Sequence, residues 1–72
     1  MEARDLVQDL RRWGMTQAQI AERTGIPQPT ISKIERGAIE DVLSRNYRSL
    51  QTVHAAEAAR HPPAAEAHGQ GA

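Results

Sequence analysis

The sequence predicts an all-α fold, and three observations predict it. Apolar residues recur at helical spacing within separate short stretches, as at Leu6, Leu10 and Trp13. Glycines and prolines punctuate those stretches, at Gly14, Gly25, Pro27, Gly37 and Pro62. Residues 16 to 37 read as two short helices that meet at a sharp turn, the second with polar side chains on its outer face.

The first helix is expected from about Glu2 to Trp13. Leu6, Leu10 and Trp13 stand at i, i+4 and i+7, with Ala3 and Val7 flanking the same stripe, and such a stripe is a core face. Glu2 and Asp5 near its start and Arg11 and Arg12 near its end suit the helix dipole. Gly14 stops it, because glycine adopts the left-handed conformation that follows a helix C-cap.

Thr16 opens the second helix, and Gln19 three residues later completes a capping box. Ile20 and Ala21 face inward. The helix ends near Thr24, since Gly25 can take a positive φ with no Cβ to clash. Ala21 lies one turn before that stop, where a larger side chain would hold the next helix away. The third helix is expected from about Gln28 to Glu35 or Arg36, with Gly37 as its stop. Pro27 and Pro29 fit its first turn, whose N–H groups have no partner within the helix. Ile31 and Ile34 share one face. Gln28, Ser32, Lys33 and Arg36 lie elsewhere, with Thr30 near the entry. This is a tight helix-turn-helix, a geometry that can put a helix into the major groove of DNA.

Residues 37 to 45 read as a loop anchored by Ile39, Val42 and Leu43. A last helix is expected from Asn46, as N-cap, to about Ala59, with Tyr47, Leu50 and Val53 or His54 as its apolar stripe. Pro62 and Pro63 end it, and no large apolar residue follows. The expected organisation is one domain over residues 1–60 and a disordered C-terminal tail over 61–72.

The 72 residues make one small domain, near the lower limit for a self-sufficient core. Without cysteine, neither a disulfide nor a cysteine metal site can staple it, so packed helices and a partner subunit are the available supports. No apolar run is long enough to span a membrane, and Met1-Glu2-Ala3-Arg4-Asp5 lacks the apolar core of a signal peptide. A cytoplasmic protein is expected. The nine basic and nine acidic side chains cancel, which argues mildly against a nucleic-acid partner. Their distribution points the other way: between Arg23 and Arg48, Arg23, Lys33, Arg36, Arg45 and Arg48 outnumber Glu35, Glu40 and Asp41.

Gly14-Met15-Thr16-Gln17, Ile20-Ala21, Gly25 and Gln28-Pro29-Thr30-Ile31-Ser32-Lys33-Ile34-Glu35-Arg36-Gly37 together resemble the Cro and phage-repressor type of helix-turn-helix, the Xre family. The resemblance covers residues 14 to 37 and extends more loosely from 6 to 53. It implies a lambda-repressor-like bundle of four to five helices that binds a palindromic double-stranded DNA operator as a homodimer. By that resemblance Gln28, Pro29 and Lys33 face base edges, and Gln17, Thr30, Ser32, Arg36 and Arg48 are candidates for contacts to the DNA backbone. The chemistry of the side chains agrees. Gln28 can offer its amide bidentately to adenine and Lys33 can donate to guanine, each contributing about 1–3 kcal/mol of discrimination. Gln17 sits near the start of helix two, where free N–H groups also bind phosphate.

Three positions depart from the family pattern. Pro27 cannot cap the recognition helix with its side chain. Pro29 offers only apolar contact, such as to a thymine methyl. Leu10 stands where the family often has an arginine that would pair with Glu35, leaving Arg11 or Arg12 as its partner.

The function expected from these residues is a sequence-specific DNA-binding transcriptional regulator, a repressor of a phage or bacterial operon. Dimerisation is expected through Tyr47, Leu50 and Val53, which would set two recognition helices about 34 Å apart. Charge neutrality and the alanine-rich last helix motivate an alternative, a protein-interaction module such as an antitoxin or phage adaptor. Catalysis, a cofactor and a metal are not expected. His54, His61 and His68 fall seven apart, but Pro62 and Pro63 separate the last from the others, and no Ser-His-Asp set or phosphate loop occurs.

Overall fold

The computed structural model describes residues 1–39 and 41–61, in which four helices and no strand occur. They are α1 (Ala3–Arg12), α2 (Gln17–Thr24), α3 (Gln28–Arg36) and α4 (Ser44–Ala58). Helix α1 packs against all three others, α2 packs against both α3 and α4, and α3 and α4 do not pack on each other. The core gathers Leu6, Val7 and Leu10 of α1, Ile20 of α2, Ile31 and Ile34 of α3, and Leu50 and Val53 of α4. Met15 and Ile26, from the two short turns, complete it.

Local signals set the first three helices. The α2 capping box forms as expected: Gln19 N donates to Thr16 Oγ1 at 3.1 Å and Thr16 N donates to Gln19 Oε1 at 2.9 Å. A second capping box opens α1, where Glu2 N donates to the Asp5 carboxylate at 3.0 Å. Gly25 ends α2 at φ +78°, with its N–H donating to the Ala21 carbonyl at 2.8 Å. Between α2 and α3, Ile26 turns wholly inward, and its N–H is held by Thr24 Oγ1. The Pro27 carbonyl then accepts from Thr30 and Ile31, so the proline starts α3 through its backbone although its side chain caps nothing.

Helix α4 departs from the sequence expectation at its start. It begins at Ser44 with Leu43 as N-cap, and Asn46 lies inside the first turn. No side chain caps it, so no cap signal is present to read. Leu43 is also not a buried anchor, being 61% exposed, whereas Ile39 and Val42 are half-buried against the core. The expected dimer stripe needs a further correction. Leu50 and Val53 are buried within the chain's own core, and only Tyr47 keeps partial exposure. Leu50 and Val53 therefore close the monomer and offer no surface to a second copy. Of the expected tail, His61 packs against Trp13, and residues 62–72 lie outside the described residues.

Candidate nucleic-acid interface

Because Ile31 and Ile34 point into the core, the 3.6-residue period turns Gln28, Pro29, Lys33 and Arg36 outward. Pro29, Lys33 and Arg36 follow one another at i, i+4 and i+7 along the exposed face of α3. At its N-terminal end, Gln28, Pro29 and Ser32 form a shallow concavity with Gln17 from the start of α2. Four of the sequence-predicted contact residues are thereby brought together on one surface, and Lys33 and Arg36 continue it. Thr30 lies on the opposite flank, in a groove shared with Pro27, Leu43, Arg45 and Asn46. Arg48 is exposed but stands apart on α4, which packs on α1 and α2 rather than on α3.

Glu35 fixes the angle at which this surface is held. Its Oε1 accepts from Gln17 Nε2 at 2.8 Å, and Arg11 Nε approaches the same carboxylate at 3.4 Å. Arg11 also reaches the Met15 carbonyl. One carboxylate on α3 thus joins α1 and α2, and it orients the Gln17 amide. Arg12 is engaged elsewhere, with Asp9 at 2.8 Å, so Arg11 takes the role that Leu10 cannot. A half-exposed pair of this kind contributes at most about 1 kcal/mol; its value is geometric.

Sequence reasoning passed over a second polar junction, behind the reading surface. Glu57 is 5% exposed and its carboxylate meets Arg23 of α2 at 3.1 Å, Arg60 at 3.5 Å and His61 Nε2 at 3.7 Å. A signal for it exists. Leu50, Val53 and Glu57 stand at i, i+3 and i+7, so an acid occupies the next position of an apolar stripe. Beside it, His54 Nε2 lies 2.8 Å from Asp9 Oδ2, and the Trp13 ring packs against His54 at 5.0 Å and stacks on His61 at 5.6 Å. Both histidines thus dock the end of α4 on α1; His68 lies outside the described residues. Glu57→Ala is expected to destabilise the chain by about 1–2 kcal/mol. That is less than a fully buried ion pair would lose, because Arg23 and Arg60 can rehydrate. In a domain this small the thermal midpoint should fall by roughly 5–15 °C, measured by circular dichroism.

Residues 11–42 match the family model described as Helix-turn-helix. The match takes in the end of α1, both helices around the Gly25 turn and the loop after Gly37. Among the described residues, four helices without a strand, built around this motif, define a small all-α, lambda-repressor-like bundle. The matched segment is similar to a helix-turn-helix of the Cro and phage-repressor (Xre) type, a DNA-binding kind of domain. No curated protein and no solved structure matches the chain.

Proposed function

We propose that this chain is a cytoplasmic, sequence-specific transcriptional regulator that binds an operator in double-stranded DNA and represses a phage or bacterial operon. One observation carries the reading: α3 buries its isoleucines and presents Gln28, Pro29, Lys33 and Arg36 on a single outer face. A helix of that kind fits the major groove, where Gln28 and Lys33 have the donors and acceptors to distinguish base pairs. Pro29 adds an apolar surface suited to a thymine methyl. Gln17, Thr30, Ser32, Arg36 and Arg48 take phosphate oxygens in this reading, and two copies occupy the halves of a palindrome.

Selection from random duplex DNA, followed by titration in increasing salt, tests the reading. Arg36 and Arg48 from two copies give four cations on phosphates and a log–log slope of about −3.6, so affinity should fall about 10²-fold between 50 and 200 mM salt. Recovery of no preferred site, or binding indifferent to salt, overturns it. A stoichiometric protein partner that still binds after Gln28→Ala and Lys33→Ala would instead place the chain among interaction modules such as antitoxins or phage adaptors.

A further inference from the structure

Arg4 sits where its own helix gains nothing from it. The first turn of a helix favours acids, as Glu2 at the N-cap and Asp5 fit, and a cation there opposes the dipole. The exposed Arg4 side chain crosses to α3 instead. Its Nη1 and Cδ stand 3.4 and 3.6 Å from the point that a Cβ on Gly37 would occupy, so the guanidinium lies over the glycine that ends α3. Nothing there engages it. Among the described residues, Arg4 donates no hydrogen bond and forms no ion pair. Glu2 and Asp41 line the same hollow, and neither pairs with it.

We propose that Arg4 is a further DNA-backbone contact, supplied by α1 to a phosphate beside the C-terminal end of α3. The inference rests on the proposed function and extends it to a residue outside the helix-turn-helix. α3 has nine residues and is about 13 Å long, and the major groove is about 12 Å wide. A helix of that length, set into the groove by its first turn, brings its last turn out beside the sugar-phosphate wall. Arg36 belongs to that last turn, and Arg4 is held over the very next residue. The segment that follows has no cation to offer, because residues 38–43 contain Glu40 and Asp41 but neither Lys nor Arg. Arg4 therefore brings from α1 the charge that the loop lacks, on a planar fork that matches phosphate oxygens. Glu2 and Asp41 make the hollow a poor trap for a free small anion. The phosphate that suits Arg4 is one that α3 has already carried to it.

Salt titrations of the full chain on its selected duplex and on scrambled duplex, for wild type, Arg4→Ala and Arg4→Lys, test this. From two copies Arg4 adds two cations to the four of Arg36 and Arg48, so the wild-type slope should steepen from about −3.6 to about −5.4. Arg4→Ala should return it to about −3.6, and its deficit in affinity should shrink about 12-fold between 50 and 200 mM salt. Arg4→Lys should restore most of the slope, since counterion release needs the charge rather than the fork. Preference for the selected site should be the same in all three, because a phosphate carries no sequence. Helicity and thermal midpoint should not fall in Arg4→Ala, since the side chain is exposed and alanine favours helix. A slope equal in wild type and Arg4→Ala overturns the inference and leaves the proposed function standing. If the midpoint falls while the slope holds, Arg4 merely supports the end of α3, and the inference is overturned equally. Loss of site preference in Arg4→Ala overturns it as well, by making Arg4 a base reader. A wild-type chain that binds no duplex at any salt overturns the proposed function and this inference together.

Discussion

Leu50→Ala is expected to leave much of the chain unfolded at 25 °C instead of converting a dimer into a folded monomer. Leu50 is wholly buried on α4, in the core that α1 shares with the other three helices. Truncating a buried leucine to alanine costs about 2–5 kcal/mol, because the cavity adds to the lost transfer energy. A domain of about 60 residues has only about 3–9 kcal/mol of stability in total. The chain has no cysteine with which to cross-link what remains. Urea unfolding followed by far-ultraviolet circular dichroism, beside sedimentation, reads the outcome. A variant with wild-type helicity and unfolding midpoint but half the wild-type mass would contradict the core placement and restore Leu50 to an interface.

The second large effect is expected at the outer face of α3. Gln28→Ala combined with Lys33→Ala should reduce the preference for a selected site over scrambled DNA by about 30-fold to 2 × 10⁴-fold for each copy bound, from about 1–3 kcal/mol per side chain. Weak binding to any duplex should persist, carried by arginines on phosphates. Both side chains are exposed and alanine favours helix, so helicity and thermal midpoint should not fall. Arg36→Ala is the informative contrast. It should weaken binding to all sequences alike and reduce the magnitude of the salt slope by about one per copy. Competitive titration of selected against scrambled duplex measures both, and an unchanged preference in the double variant would remove Gln28 and Lys33 as readers.

The parts legible in the sequence are those whose causes are local. Thr16 and Gln19 close a capping box with each other, and Gly25 and Gly37 adopt the positive φ that only their own missing Cβ makes cheap. Those signals sit within four residues of the features they control, so α1 to α3 were readable almost to the residue. The outer face of α3 followed from the same period that buries Ile31 and Ile34. Tertiary decisions were not readable in this way. The start of α4 has no capping side chain, and Asn46, a good cap by composition, was not used as one. The stripe of Leu50 and Val53 announced burial but not which surface would bury it. Glu35 had two arginines within plausible reach, and only the fold assigns it Arg11 and Gln17. Ile26 has no periodic partner to mark it and is a core residue, because a turn this tight has an inside.

The setting of Trp13 has a practical consequence. It is the only tryptophan in the chain, and its ring packs against two imidazoles, His54 of α4 and His61 just past the end of that helix. Its emission is therefore a built-in optical gauge of whether the last helix is seated on the first. Neither ring packed against it belongs to α3, so a duplex bound against the outer face of α3 should leave that signal nearly undisturbed while detachment of α4 changes it. Folding and ligand capture can accordingly be followed in one cuvette, the first by the native fluorophore and the second by a label on the DNA.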